Sequence, residues 1–280
     1  MKRNDLLIEA EELASKLGNS DLRLFDATFV MVPGSTETGA SLYKQGHIPG
    51  AVFLDHANIS DTSSELNFTL PAERDLAAKL GTIGIGNGSE VVVYAAAQGM
   101  MWATRLWWVL RYAGHENVRV LNGGLGAWQG ELETTENQYD PASFKLSANP
   151  AMFADTEEVA EAIGNGAVCT LNALPPSFYT GEAEVEYAQD GHITGSLSLP
   201  FLDMTDGQFI KSDDALRETF ASYADNERII NYCGGGIAAT LTASCAMLAG
   251  LTNVAVYDGS LSEWRQEALP VTKGNEPGTL

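Results

Sequence analysis

The chain has 280 residues, enough for about two domains at roughly 100–200 residues each. Hydrophobic residues make up 45% and charged residues 19%, which excludes wholesale disorder. The 28 glycines lack a triplet period and there are only three cysteines, which excludes collagen and disulfide scaffolds. The net charge of −21 makes nucleic acid and anionic membrane poor partners, and any anion site must be built locally from oriented donors.

In chain order, residues 9–17 read as a helix and 22–29 as a strand. Residues 71–81 form a helix opened by Pro71, a residue suited to a first helical turn. The apolar run 90–95 is a strand, 101–114 a helix, 118–122 a strand and 125–131 a short helix. The polar stretch 136–152, with Pro141 and Pro150, has no sustained period and reads as a seam. The alternation then resumes. Residues 156–164 read as a helix, 167–171 as a strand, 213–224 as a helix and 228–233 as a strand. An almost wholly apolar helix covers 236–250, followed by a strand at 255–257 and a helix at 261–267. Strands alternating with helices predict α/β architecture, with a mostly parallel sheet and helices on both faces. Sites in such sheets form at the carboxyl ends of strands.

The two halves repeat each other. GHIPGAVFLD at 46–55 echoes GHITGSLSLPF at 191–201, and the strand ending at Ala95 echoes the strand ending at Cys233. HENVRVLNGGLGAWQGE at 115–131 echoes LTNVAVYDGSLSEWRQE at 251–267. The offsets are 145 for His47 to His192, 138 for Tyr94 to Tyr232 and 136 for Trp128 to Trp264. Ordered matches with slowly drifting offsets indicate two homologous domains, placed at 1–140 and 151–280.

Segment 228–248 carries the most chemistry. A strand runs into Cys233, then Gly234, Gly235 and Gly236 follow, then Ile237 and Ala238 open a helix. That order places a thiol at a strand end and a helix N-terminus, where N–H groups and the helix dipole favour negative charge. Cysteines so placed are activated as thiolates, and glycines let the backbone curl several N–H donors toward one point. The bland alternative is a small buried apolar residue before a tight turn. Cys245, mid-helix among Ala, Leu and Met, and Cys169, in a strand, read as core residues. Ala95 stands where the second half has Cys233, so only one half carries a nucleophile. The cysteines are too few and scattered for a zinc site, and no metal or organic cofactor is expected. No secretory signal or apolar stretch of membrane-spanning length is apparent, so a reducing cytoplasm is the expected compartment.

The segments LRLFDATF, GHIPGAVFLD, GHITGSLSLPF, RLWWVLRYAGHENVRVLNGGLGAW and YCGGGIAAT resemble the tandem-domain rhodanese family, the thiosulfate and 3-mercaptopyruvate sulfurtransferases. The resemblance implies two rhodanese-like domains, the first without a nucleophile. It implies that Cys233 takes up sulfane sulfur from a small anionic donor as a persulfide, cradled by Gly234, Gly235, Gly236, Ile237 and Ala238. A thiol, cyanide or protein thiol then removes the sulfur. A persulfide carrier acting on protein thiols is the alternative. The resemblance also implies that Asp55 is the family's acid across the cleft from the cysteine, against a plain loop cap. Trp102 and Arg105 lie on the helix after the first half's empty loop, and if the halves face each other Trp102 lines the cleft. The chain departs from the family in its loop. Gly234 and Gly235 stand where thiosulfate members often have Arg and Lys. Gly235 and Ala238 stand where mercaptopyruvate members have Ser and Thr. Residues 171–181 contain no Arg, and Ser177 roughly occupies one such place. A phosphatase on this architecture needs an Arg six residues after the cysteine, where Ala239 stands.

Among the other polar residues, His56 reads as exposed loop. His47 and His192 read as turn architecture, because they recur in both halves. Asp26 reads as a strand-end residue fixing backbone N–H groups. Trp107, Trp108, Trp128 and Trp264 read as core anchors, and Gly84, Gly86 and Gly88 lack the context of a nucleotide loop.

Overall fold

A computed structural model describes residues 1–32, 34–96, 99–183 and 190–280. The chain divides into two compact units. The first comprises residues 1–62, 70–149 and 207–210; the second comprises 63–69, 150–206 and 211–280.

In the first unit, helices α1 (Arg3–Leu6) and α2 (Ala10–Lys16) flank the short strand β1 (Leu7–Ile8). Strand β2 (Leu22–Asp26), helix α3 (Gly39–Gln45), strand β3 (Val52–Phe53), helix α4 (Glu73–Thr82), strand β4 (Glu90–Tyr94), helix α5 (Met100–Tyr112) and strand β5 (Val118–Leu121) follow. The strands form one parallel sheet in the order β1-β5-β4-β2-β3. β4 is central and carries Val91, Val92, Val93 and Tyr94 fully buried, the near-continuous apolar run of a strand covered on both faces. Ile8, Leu13, Leu24, Ile48, Val92, Tyr94 and Leu121 share one core cluster.

The second unit repeats the plan. It contains β6 (Phe153–Ala154), α6 (Thr156–Ala162), β7 (Val168–Asn172), α7 (Pro176–Thr180), β8 (His192–Ile193) and β9 (Leu197–Ser198). The short strands β10 (Thr205–Asp206) and β11 (Phe209–Ile210) come next in the chain; β11 is counted with the first unit. Then come α8 (Asp213–Thr219), β12 (Arg228–Tyr232), α9 (Ala238–Leu248), β13 (Val254–Tyr257), α10 (Ser260–Gln266) and β14 (Val271–Thr272). The parallel sheet runs β6-β13-β12-β7-β9, the order of the first unit. Its core joins Val159, Ile193, Ile230, Tyr232, Ala255, Tyr257, Leu261 and Trp264. Among the described residues no helix is long and apolar enough to cross a membrane.

The predicted elements recur with differences that have local causes. Residues 125–131 form only a 3-10 turn over Gly124–Ala127, and Trp128 is extended. Four glycines in 123–130 forgo the helical preference that LSEWRQE retains as α10. Helix α3 has too few apolar residues to show a period. It is held instead by a cap in which Thr38 Oγ1 accepts from Ser41 N at 3.1 Å.

The expected seam is bound rather than loose, and the first unit runs on to Asn149. Tyr139 Oη accepts from Leu24 N at 2.8 Å and donates to the Gly50 carbonyl at 3.0 Å. Ala142 N and Ser147 N donate to the Gly81 and Ala113 carbonyls at 2.8 and 3.0 Å. Gly84 serves this strap. Its φ is +84°, and a methyl group there would lie 2.4 Å from Tyr139 Cβ.

Candidate functional site

Central strand β12 pairs with β7 and β13 along its length and ends at Tyr232. Its last ring is locked in the core. Tyr232 Oη accepts from Ile193 N at 3.0 Å and Asn172 Nδ2 at 2.8 Å, and shares a 2.8 Å hydrogen bond with Ser196 Oγ. Burial pushes the Tyr232 phenol up, so it stays neutral. Cys233 is the next residue. It is free and 2% exposed. Gly234 and Gly235 are half-buried, whereas Gly236, Ile237 and Ala238 are buried. Gly236 has φ +73°, the left-handed turn that brings the chain into α9.

The loop is pinned by the start of α10, which the sequence reading had not singled out. Ser260 Oγ accepts from Cys233 N at 3.1 Å and Gly236 N at 3.0 Å, and donates to the Tyr257 carbonyl at 2.7 Å. Leu261 N donates to the Cys233 carbonyl at 3.1 Å, and Ser262 donates to the Gly234 carbonyl from both N (3.0 Å) and Oγ (2.6 Å). Two of the N–H donors expected around the sulfur, those of Cys233 and Gly236, are therefore occupied by a hydroxyl. The N–H groups of Gly234, Gly235, Ile237 and Ala238 have no acceptor among the described residues. They sit at the N-terminus of an 11-residue helix, a place that stabilises negative charge.

Ser260 holds φ at +52°, a left-handed conformation that costs a non-glycine residue about 1–2 kcal/mol. The first unit has Gly124 at the matching place, with φ +59°. There Leu125 N donates to the Ala95 carbonyl at 3.0 Å, as Leu261 N does to Cys233. Both halves thus build the same turn, and the half with the thiol adds Ser260 and Ser262 where the other has Gly124 and Gly126. Comparing NGGLGAW with DGSLSEW is the signal that could have found them. Ala97 and Gln98 of the first half's loop lie outside the described residues.

The second unit offers no loose guanidinium. Arg217 pairs with Asp214, Arg228 Nε with Glu158 at 2.8 Å, and Arg265 Nε with Asp190 at 2.9 Å. Leu174 and Ser177 belong to the arginine-free stretch. Leu174 N donates to Asn172 Oδ1 at 2.8 Å, and the Ser177 carbonyl accepts from Glu182 N and Ala183 N, both at 2.9 Å. Cys169 and Cys245 are buried, and burial pushes the Cys169 thiol up to about 11. Among the described residues no group of three or more His, Cys, Asp or Glu is placed to hold a metal ion.

The first-unit candidates are dispersed into packing and capping. Asp55 is exposed and caps the 3-10 turn His56–Ile59, its Oδ1 accepting from Ala57 N at 2.9 Å. Trp102 is 1% exposed and lies against Phe29 and His56, with ring centroids 4.4 and 4.8 Å away, so it is a core residue and not the lining of an open surface. His56 is not exposed loop. Its Nε2 is 3.0 Å from the Ala27 carbonyl oxygen, and burial pushes its pKa down to about 4. His47 and His192 are turn architecture. Each is buried, with Nδ1 2.8 Å from a carbonyl oxygen (Tyr43 or Tyr179), and each stacks on that tyrosine's ring at 3.7 and 3.6 Å. Asp26 is buried at the end of β2 and accepts from Thr28 N at 2.9 Å and from the Thr28 hydroxyl. Trp107, Trp108 and Trp264 are fully buried.

The rhodanese-like domain family model matches twice, over residues 9–131 and 157–267. The chain is 35% identical to the thiosulfate sulfurtransferase of Mus musculus over 94% of its length and 92% of the relative. It is 31% identical to the 3-mercaptopyruvate sulfurtransferase of Homo sapiens, over 93% of its length and 91% of that protein. Among solved structures, SseA of Escherichia coli, a 3-mercaptopyruvate sulfotransferase, aligns with a TM-score of 0.81 and 28% identity, covering 91% of this chain and 98% of that one. With two matches that take in most of its length, the chain belongs to the rhodanese-like domain family, the domain being present in tandem and the thiol of the loop in its second copy.

Proposed function

We propose that this protein is a sulfurtransferase in which Cys233 carries the sulfur. The observation that supports this most strongly is the placing of Cys233. It stands between the end of β12 and the start of α9, in a loop pinned by Ser260 and Ser262 with four amide N–H groups left open. The relatives' sulfurtransferase activities agree with it. The Cys233 thiolate attacks the outer sulfur of thiosulfate or the thiol sulfur of 3-mercaptopyruvate. The bond from that sulfur to the rest of the donor breaks, and sulfite or pyruvate leaves with the electron pair, pyruvate gaining a proton. An acceptor thiolate or cyanide then attacks the outer sulfur of the persulfide and returns Cys233 as a thiolate. The cycle is covalent, in two half-reactions, with ping-pong kinetics. The open N–H groups of Gly234, Gly235, Ile237 and Ala238 stabilise the anionic persulfide, the service an oxyanion hole gives to oxygen. A reducing cytoplasm suits the three free thiols.

Intact mass after incubation with each donor tests the reading. A gain of about 32 Da that is confined to Cys233 and lost in Cys233→Ala supports it. A chain that gains no sulfur from either donor, or gains it equally in Cys233→Ala, refutes it.

The paired state of Arg217, Arg228 and Arg265 favours a second reading. With the guanidinium groups of the second unit paired and a net charge of −21, small anionic donors bind weakly, and the protein works as a persulfide relay to protein thiols. Stable loading with transfer to a partner thiol and slow steady-state turnover with cyanide separates the relay from the enzyme.

A further inference from the structure

Cys233 is 2% exposed, yet a thiol that exchanges sulfur has to meet its reactants. Of residues 233–238, Gly234 and Gly235 alone are not buried, so the way out of the loop passes over them. A segment from elsewhere in the chain lies on this side. Residues 63–69 belong to the second unit, and a methyl group at Gly235 would meet the Asn67 carbonyl oxygen at 3.7 Å. The segment is tied to α10, the helix whose first turn pins the Cys233 loop, by a hydrogen bond from Gln266 Nε2 to Glu65 Oε2 at 3.3 Å. Beside that tie Ser64, Glu65 and Leu66 face Glu263, Gln266 and Glu267 across an open cleft of about 440 Å³. Phe68 holds φ at +65°, a backbone conformation that is an outlier for a bulky side chain.

We propose that residues 63–69 are a gate over the Cys233 loop, latched by Glu65 and Gln266, which lifts to admit donor and acceptor. The inference rests on the assignment of the chemistry to Cys233. A long hydrogen bond between exposed side chains, an open cleft between the segment and α10, and a strained residue within the segment together make a closed state of shallow depth. Such a state opens often enough to serve turnover and still shields a persulfide between half-reactions.

The test is alkylation of the full-length protein by iodoacetamide and by the bulkier pyrene maleimide, read as modification of each cysteine by peptide mass. Glu65→Ala and Gln266→Ala break the latch at exposed positions. Each is expected to speed pyrene maleimide labelling of Cys233 at least about threefold, the scale on which loss of one modest hydrogen bond shifts an opening equilibrium. Glu65→Gln keeps an acceptor oxygen and is expected to label like the parent. Unchanged labelling in both alanine variants overturns the proposal. So does equal acceleration at Cys169 and Cys245, which means general loosening, and so does Glu65→Gln labelling as fast as Glu65→Ala. Sulfur loading does not enter this readout. A parent protein that fails to gain sulfur refutes the assignment of Cys233, while the labelling rates decide the gate separately.

Discussion

Replacing Ser260 with alanine removes the hydroxyl at the head of α10 that accepts from two amides of the cysteine loop. Two buried N–H groups, of Cys233 and Gly236, lose their acceptor, and the Tyr257 carbonyl loses a donor. A buried donor left unsatisfied costs about 1–3 kcal/mol, and relaxation of the loop recovers part of that, so Ser260→Ala is expected to lose about 2–4 kcal/mol. Alanine also keeps the penalty of the left-handed φ of +52°. Ser260→Gly loses the same hydrogen bonds but sheds that penalty, and should be more stable than Ser260→Ala by about 1 kcal/mol. Sulfur loading depends on the hydroxyl and not on the strain, so both variants should load Cys233 more slowly by a similar factor, of about 5–30 if half of the lost stabilisation is felt in the transition state. Urea denaturation with a shared m-value gives the stability order, and the timed mass gain after a donor pulse gives the loading rate. Parent-like stability and loading in Ser260→Ala would show that the two hydrogen bonds do not hold the loop. Ser260→Gly loading like the parent while Ser260→Ala does not would mean that strain, not the hydroxyl, governs the site.

The buried imidazole of His56 sets an acid limit. Its pKa is pushed from 6.5 down to about 4, chiefly by burial, so the unfolded chain binds the proton more readily. The stability this gives is complete above pH 6.5 and is lost as pH falls from there toward 4. About 2–3 kcal/mol should go between pH 7 and pH 4.5. Urea midpoints at the two pH values should show a drop that shrinks in His56→Gln; an equal drop in that variant contradicts the assignment. Asp26→Asn copies the second half, where Asn172 occupies the same strand end, accepts from Leu174 N and donates to Tyr232 Oη. Burial raises the Asp26 pKa, so its contribution to stability is present below pH 3.8 and lost as pH rises through the folded value. At pH 7 the substitution should therefore be neutral or gain up to about 1 kcal/mol; a loss larger than that would show that Thr28 and Tyr94 need the charged acceptor.

Much of the architecture was legible because it was written twice. The repeat gave two parallel sheets, the alternation gave the order of their main strands and helices, and the strand–Cys–Gly–Gly–Gly–helix run located the thiol loop. Elements whose stability comes from tertiary bonding stayed hidden. The two-residue edge strands β1, β3, β6 and β9 are too short for any period, and α3 is announced only by its cap. The packing of the seam stayed hidden for the same reason. Residues 136–149 look like a linker because they are polar and aperiodic, but Tyr139, Ala142 and Ser147 spend their polar groups on the backbone of the first unit.

The histidines and aromatics show where residue type misleads. His56 looks like loop chemistry, but the chain beside it turns the ring inward against Phe29 and Trp102, and burial removes its charge at neutral pH. Asp55, its neighbour, is left outside and spends its carboxylate on a cap. The reverse holds for Ser260, a common residue at the head of a helix with nothing in its identity to mark it. Its significance lies in a contrast. At a turn whose left-handed φ suits glycine, and where the thiol-free half does use Gly124, the thiol-bearing half accepts strain to place a hydroxyl on two amides of the Cys233 loop. A side chain kept at a glycine position against its own backbone preference needs a compensating gain, and here the gain is the geometry of the loop that holds the sulfur.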